Sequence, residues 1–216
     1  MRVEQYFIRM KRILFILYAL VALGAIIYQL SWQERTQRAL TYRKMMEENG
    51  WEEQAEKLLK DACRFPVTTN GVDDVTWYFE DGYGASRSYG GNRSHEGVDI
   101  MASKDEPGCL QIRSVCDGVI EQMGWLRLGG YRIGIRSDTG FYYYYAHMER
   151  YAGGLHKGDR VKAGELIGYM GNTGYGKEGT KGKFAVHLHF GIYYTENDRE
   201  KSLNPYPFLW YLEQNS

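Results

Sequence analysis

Hydrophobic and polar positions divide the 216-residue chain into regions with different periodicities. Residues 13–30, ILFILYALVALGAIIYQL, contain no charged side chain. Residues 33–62 are rich in helix formers, and their apolar side chains recur at helical spacing. These apolar positions are Trp51, Ala55, Leu58, Leu59 and Ala62. From about residue 71, short β-prone runs alternate with glycine-containing turns, so the pattern predicts helical segments followed by a β domain.

The apolar run 13–30 predicts a single transmembrane anchor, because as a helix it would span about 27 Å, close to the thickness of a bilayer core. The preceding residues 1–12 carry Arg2, Arg9, Lys11 and Arg12. The positive-inside tendency therefore predicts a cytoplasmic N-terminus and an extracytoplasmic remainder, in a single-pass membrane protein. The alternative is a signal peptide cleaved near residues 22–24. We favour the uncleaved anchor, since apolar residues continue past that point through Tyr28.

The rest of the chain predicts a mainly β fold, a compact antiparallel β-sheet domain over residues 71–205. Runs such as YRIGIRS, FYYYYAHM and VHLHFGIYY are separated by glycine-containing turn signals. Residues 31–70 are expected to form a juxtamembrane helical stalk; a spacer is the favoured interpretation, and docking on the β domain is the alternative. Residues 206–216 are expected to be a C-terminal tail with a short helix after Pro207.

Composition narrows the function classes. The formal net charge is zero, so nothing favours a nucleic-acid partner. The three cysteines, Cys63, Cys109 and Cys116, are an odd number, so an exported chain would keep one thiol or pair it between molecules. No histidine lies at metal-site spacing from them, and we interpret them as structural or free.

The stretch FAVHLHFG contains the clearest chemical signal. His187 and His189 are two residues apart in a β-prone run, so their side chains share one face, with Cα atoms about 6.6 Å apart. Val186, Leu188 and Phe190 would then face the core. A pair of surface histidines is the alternative, and the spacing alone leaves it open.

Two further motifs contain histidine. In HEGVDI, His95 and Asp99 could share one metal only if the backbone bends between them, and Gly97 permits such a bend. In YYYYAHM, His147 is expected at the end of a strand, beside aromatic residues. Four of the five histidines lie in these three motifs, and His156 is expected at the surface.

Two imidazoles, one carboxylate and an open fourth position are typical of a catalytic zinc site rather than a structural one. The two remaining histidines could then transfer protons. Spacing alone does not say which histidine of the His187–His189 pair binds the metal.

The motifs resemble those of the M23 (lysostaphin/LytM-type) zinc peptidases, which cut peptide bonds in bacterial peptidoglycan. The resemblance covers roughly residues 80–205 and includes HEGVDI, YAH, HLHF and the segment GDRVKAGELIGYMGNTG. It implies a LytM-like β domain with an open groove. It also implies a zinc endopeptidase acting on stem peptides or cross-links by metal-assisted hydrolysis.

Residue by residue, the resemblance implies that one Zn²⁺ per chain is bound by His95, Asp99 and His189. It implies that His147 and His187 are catalytic, and that Tyr89 steadies the oxyanion. The loop before HLHF looks longer than is usual in the family and carries Lys177, Lys181 and Lys183, which we interpret mainly as a solvated surface.

Two alternatives remain. One is a non-catalytic scaffold of the same fold that activates other cell-wall hydrolases in division or sporulation, and the other is a structural metal site in a sugar-binding β domain. The complete set of histidines favours the enzyme. The expected partners are peptidoglycan peptides and the membrane, with no nucleic acid; a monomer is expected, and a regulatory protein partner is compatible with either reading.

Overall fold

A computed structural model describes residues 2–61, 64–71, 74–88 and 91–215, and the chain divides into two compact units, Met1–Thr41 and Tyr42–Ser216. The first unit belongs to helix α1 (Arg2–Glu48), whose apolar side chains are largely exposed. The part Gln5–Glu48 is long and apolar enough to cross a membrane, by length and composition. A signal sequence would meet the same criteria, so these criteria do not separate the two alternatives.

The second unit is a β domain with two helices beyond the end of α1, namely α2 (Glu52–Asp61) and α3 (Tyr206–Glu213). Its strands are β1 (Val67–Thr69), β2 (Trp77–Phe79), β3 (Ser86–Arg87), β4 (Arg93–Ser94), β5 (Val98–Ala102), β6 (Leu110–Arg113), β7 (Gly118–Leu126), β8 (Gly130–Ser137), β9 (Tyr142–Tyr151), β10 (Arg160–Val161), β11 (Leu166–Met170), β12 (His187–Glu196) and β13 (Arg199–Leu203).

Within the described residues, eleven strands form one sheet and β3 pairs with β4 apart from it. The order along the main sheet is β1-β6-β11-β9-β12-β5-β2, while β8 joins β9 to β7, β10 pairs with β7, and β13 pairs with β12. The neighbouring strands run antiparallel throughout. The expected mainly β, antiparallel fold is confirmed.

One face of this sheet is the hydrophobic core. Alternation along β9 sends Tyr143 and Tyr145 into it, and alternation along β12 sends Leu188 and Phe190 to the same side, all fully buried. The rings of Tyr145 and Phe190 are 5.3 Å apart. The opposite face of the same strands is therefore left for polar side chains.

Residues 42–70, expected to form a stalk, are part of this compact unit. Tyr42 and Leu58 are fully buried, and β1 pairs with β6. At the end of α2, the Asp61 Oδ2 atom accepts hydrogen bonds from Thr139 (2.6 Å) and Tyr143 (3.1 Å). These residues therefore belong to the compact unit Tyr42–Ser216.

The C-terminal residues also contribute to the core. Helix α3 begins at Tyr206, next to the expected position at Pro207, and Phe208 stacks on Tyr143 with ring centroids 6.0 Å apart. Cys109 and Cys116 are buried thiols, and Cys63 lies outside the described residues.

Candidate metal centre and active-site groove

A groove of about 570 Å³ lies on the polar face of the sheet. It is bordered by side chains of β5, β8, β9 and β12 and by the loop that precedes β12. Five of the six predicted site residues lie here. Four of them belong to strands that meet at the groove, and His95 lies just before β5. The groove lining contains all five: His95, Asp99, His147, His187 and His189.

Three donor atoms in the groove form a nearly equilateral triangle. The Nε2 atom of His95 lies 2.9 Å from Nδ1 of His189 and 3.0 Å from Oδ1 of Asp99. The distance from His189 Nδ1 to Asp99 Oδ1 is also 3.0 Å. Three donors at these separations can contact one atom between them, so these three residues could hold a metal ion.

Strand register accounts for two corners of the triangle. His189 of β12 is directly opposite Asp99 of β5, and directly opposed residues of antiparallel strands point to the same face. The third corner, His95, reaches the site because the chain bends at Gly97, between His95 and β5. A side chain at residue 97 would have no room, since a Cβ atom there would lie 2.6 Å from Cε1 of His189.

The donor set fits a zinc ion. The Nδ1–H of His95 donates to the Gly82 carbonyl at 2.8 Å, so a neutral His95 presents the lone pair of Nε2 to the Asp99 carboxylate. Such facing lone pairs repel each other unless a cation lies between them. Two imidazole nitrogens and a carboxylate are typical zinc ligands, and bonds of about 2.0–2.1 Å would separate tetrahedral donors by roughly 3.3 Å, close to the triangle here.

Asp99 is ionised at neutral pH. Burial would raise its pKa, but the imidazole of His189, which can donate its Nδ1–H to Oδ1, leads the effects that outweigh burial and hold that pKa well below its ordinary value. Arg87 Nη2 donates to the other oxygen, Oδ2, at 2.6 Å. The carboxylate thus keeps one oxygen for a cation and one for Arg87. No motif in the sequence pointed to this arginine.

His187 lies on the same face of β12 as His189, as the alternation predicted. Its Nδ1–H donates to the Ala185 carbonyl at 2.7 Å, which leaves Nε2 directed toward the site, 3.8 Å from Oδ1 of Asp99. Burial, the largest effect, lowers the pKa of His187, although the charge of Asp99 opposes it. The ring is therefore neutral at neutral pH and can accept a proton through Nε2.

His147 lies inside β9 rather than at a strand end, which corrects the expectation. By simple alternation it would share the core face of Tyr143 and Tyr145. Between the pairs Tyr131–Met148 and Ile133–Tyr145, however, β9 has one more residue than β8, which defines a β-bulge at residues 146–147. His147 has a φ of 62°, an unusual conformation for a non-glycine residue. The bulge turns its side chain from the core into the groove.

The position of His147 is fixed by its second nitrogen. Its Nδ1–H donates to the Thr173 carbonyl at 2.8 Å, so Nε2 remains available to a substrate or water. The rings of His147 and His187 are 4.7 Å apart. Burial and, secondarily, the neighbouring histidines lower the pKa of His147 well below its ordinary value. His147 is therefore a neutral base beside the triangle of donors.

The loop before β12 forms a wall of the groove. Phe184 packs edge-on against the ring of His147 at 4.5 Å, and Tyr175 packs against Phe184 at 4.9 Å. Lys181 forms an ion pair with Glu149 at 2.8 Å. The wall is thus aromatic toward the groove, and the positions of Tyr175 and Phe184 were not predicted from the sequence.

Two other predicted residues lie outside this arrangement. Tyr89 falls outside the described residues. His156 is at the surface, as expected, with 78% of its side chain exposed and Asp159 as its ion-pair partner at 3.5 Å.

Comparisons with known proteins agree with the geometry. The sequence model of Peptidase family M23 matches residues 93–205. The chain is 44% identical over 148 residues to the L-Ala–D-Glu endopeptidase of Bacillus subtilis strain 168, covering 68% of this chain and 42% of that protein. It is 35% identical over 122 residues to the glycyl-glycine endopeptidase ALE-1 of Staphylococcus capitis, covering 56% of this chain and 30% of that protein.

A solved structure gives the same picture. The crystal structure of a protein from Ruminococcus gnavus ATCC 29149, assigned as a glycyl-glycine endopeptidase lytM, aligns with a TM-score of 0.67 at 47% identity, covering 80% of this chain and 70% of that one. The chain spans less than half the length of the two curated relatives described above.

Proposed function

The chain belongs to peptidase family M23, and we propose that it is a zinc endopeptidase which hydrolyses peptide bonds in bacterial peptidoglycan. The observation that carries the proposal is the triangle of donor atoms from His95, Asp99 and His189, with the free Nε2 atoms of His147 and His187 beside it. A groove that exposes this centre to a long substrate supports an endopeptidase rather than a closed structural site.

In this proposal His95, Asp99 and His189 hold one Zn²⁺ per chain. When bound there, zinc would supply Lewis acidity toward the scissile carbonyl and toward water. His147 and His187 are neutral and keep Nε2 unprotonated, so either can accept the proton of the attacking water and return it to the departing amine. Tyr89 is proposed to stabilise the developing oxyanion.

The names of the two relatives described above suggest two candidate classes of bond for this chain, a bond to a glutamyl residue and a glycyl-glycine bond. We propose that the substrate is a stem peptide or a cross-link of the cell wall, which is compatible with either bond. Both classes need an extended groove, because several residues on each side of the scissile bond must be held.

The alternative is a non-catalytic scaffold that activates other cell-wall hydrolases. A chain that had lost catalysis would be free to lose a ligand or a catalytic histidine. The five residues lie together with both catalytic imidazoles fixed by backbone carbonyls, which favours the enzyme.

We further propose that residues 13–30 anchor the protein in the cytoplasmic membrane, with the β domain on the outer side. The length and apolar composition of α1 support this, and so do the basic residues before the apolar run. Protease added to intact spheroplasts should then degrade the β domain, whereas an intracellular control protein should survive. Survival of the β domain would contradict the proposed orientation.

The activity is tested with the full chain purified in detergent. About one zinc per chain is expected by elemental analysis, together with release of peptides from purified sacculi, detected by mass spectrometry. His147→Ala should retain the zinc and lose activity by about 10²–10⁴-fold. His156→Ala, a change at the surface, is the matched control and should leave both unchanged. If zinc-loaded wild-type protein digests sacculi no better than His147→Ala, the chain is not a peptidase.

A further inference from the structure

Two arginines in the groove, Arg93 and Arg132, lack the carboxylate partners that other arginines of the β domain have. Arg87 pairs with Asp99, and Arg136 pairs with Glu121 and Glu200. Within the described part of the chain, neither Arg93 nor Arg132 forms an ion pair. The groove therefore presents two positive charges without a direct ion-pair partner among the described residues, although Glu96 and Glu200 also line it.

Each of these two arginines also has an N–H group without a hydrogen-bond acceptor among the described residues. Arg132 Nη1 and Arg93 Nε are buried from solvent and have no hydrogen-bond partner among the described residues. The one hydrogen bond that the Arg93 side chain makes within the described part of the chain is a long contact from Nη2 to the Tyr175 hydroxyl, at 3.4 Å. Buried donors are almost always satisfied, and leaving a charged one unsatisfied is costly, so an unpaired guanidinium in a groove indicates a missing acceptor.

The fold directs Arg132 to this place. On β8 its neighbour Ile133 points into the core, so Arg132 points to the groove face. It is also the residue opposite the bulge that turns His147 into the groove. Arg132 and His147 thus line the groove side by side, the first by regular alternation and the second through the bulge.

Arg93 approaches the same region from the other side. Burial raises the pKa of Tyr144 to about 12, while the charges of Arg132 and Arg93 both act to lower it, so both guanidinium groups lie near this tyrosine. The ring of Tyr144 packs against that of His189, with centroids 5.9 Å apart. Both guanidinium groups therefore line the same groove as the three candidate metal ligands.

We propose that Arg132 and Arg93 form a carboxylate-binding subsite that recognises an acidic residue next to the scissile bond. A guanidinium group presents its N–H donors in a planar fork that matches the two oxygens of a carboxylate. A carboxylate bound there would offer these guanidinium groups the acceptor oxygens that they lack among the described residues. A neutral peptide would leave both guanidinium charges without a counter-ion.

This subsite rests on the proposed peptidase function and selects between its two classes of bond. Whichever of its two carboxyls continues the chain, a glutamyl residue keeps the other one free, whereas a glycyl-glycine segment has no free side-chain carboxylate. The structure therefore favours a bond to a glutamyl residue. An amidated glutamyl residue, with its free carboxylate converted to a carboxamide, is expected to be a poor substrate.

The test compares an alanyl-glutamyl stem peptide, its amidated form and pentaglycine. Calorimetry measures binding to the zinc-loaded full chain, and mass spectrometry measures cleavage. The wild type should bind the acidic peptide about 10- to 100-fold more tightly than the amidated one, as expected for charge-assisted hydrogen bonds. Arg132→Gln should remove this difference. Arg199→Gln, which removes a charge from an exposed site on β13, should retain it.

If Arg132→Gln does not fold, Arg132→Lys provides the test. This variant should keep only part of the wild-type preference for the acidic peptide over the amidated one, because lysine lacks the planar fork of N–H donors. Equal binding of the acidic and amidated peptides by the wild type, or preferred cleavage of pentaglycine, overturns the subsite. Binding that prefers the acidic peptide, with no cleavage of any substrate, supports the subsite and rejects the peptidase function instead.

Discussion

His189 and Asp99 lie directly opposite each other on the antiparallel strands β12 and β5, and their donor atoms are 3.0 Å apart. Their meeting follows from register, since opposed residues on neighbouring strands share a face. The arrangement leaves little space beneath the His189 ring, and this space is provided by Gly97. A side chain at residue 97 is therefore incompatible with the geometry of the site.

Gly97→Ala is accordingly expected to lower the free energy of unfolding by about 1–3 kcal/mol, the usual effect of overpacking. Its Cβ atom would lie 2.6 Å from His189 Cε1 and 2.6 Å from the carbonyl oxygen of Phe190. The displaced ring should also weaken zinc binding, measured by competition with a chelator. Gly153→Ala is the matched control, because a Cβ atom there meets nothing within 4 Å. Equal stability and zinc affinity of the two variants would show that the ring has room to move.

The sequence allowed some parts of this site to be predicted and not others. The shared face of His187 and His189 follows from the two-residue period of a strand, and the need for a bend at Gly97 follows from the distance a strand would place between His95 and Asp99. The direction of His147 could not be predicted, because it depends on one extra residue in β9 relative to β8, and such a bulge is a property of strand pairing.

The same limit applies to the arginines and to the helical segment. Arg132 points into the groove because of its place in β8. That its Nη1 atom has no hydrogen-bond partner among the described residues is a property of the folded structure and cannot be predicted from the sequence. In residues 51–62 the helical period indicated an apolar face, but periodicity does not tell whether such a face packs on the β domain. Asp61, bonded to Thr139 and Tyr143 far along the chain, shows the packing that the pattern left open.

Arg87 is expected to act on the metal through Asp99. Arg87→Met removes the hydrogen bond that fixes Asp99 Oδ2, and loss of such support for a ligand typically reduces metal affinity by about 10- to 100-fold. Zinc affinity measured by chelator competition should fall to that extent, and Arg87→Lys should recover part of it. The exposed Arg127→Met controls for loss of one positive charge near the groove. Unchanged affinity in Arg87→Met would mean that register alone orients Asp99.

Substitution of the buried Leu58 is expected to show that helix α2 is part of the folded β domain. Because its side chain is fully buried, Leu58→Ala should lower the free energy of unfolding by about 2–5 kcal/mol in urea denaturation. Lys57→Ala changes the neighbouring, exposed position and should have an effect within about 0.5 kcal/mol. If the two variants are equally stable, α2 is a spacer, as the sequence had suggested.

Stability of the metal-free protein is expected to decrease as the pH falls below about 6.5. Burial lowers the pKa of His147 and of His187 in the folded chain, whereas in the unfolded chain both imidazoles titrate near 6.5. Below that pH the unfolded state binds more protons than the folded state, so protonation favours unfolding. The stabilisation is therefore complete above pH 6.5 and decreases by up to about 1.4 kcal/mol per pH unit for each such histidine.

Urea denaturation of the metal-free full chain at pH 7.5 and pH 5.5 measures this dependence. In His147→Asn one titrating imidazole is absent, so the difference in unfolding free energy between the two pH values should shrink by about 1 kcal/mol. Asparagine is also among the residues that tolerate the positive φ at this position. His156→Asn alters a ring that is exposed in the folded protein and should leave the difference unchanged. A dependence on pH that is identical in His147→Asn and wild type would mean that His147 takes up its proton in the folded protein as easily as in the unfolded chain. A neutral His147 at the metal centre would then no longer be supported.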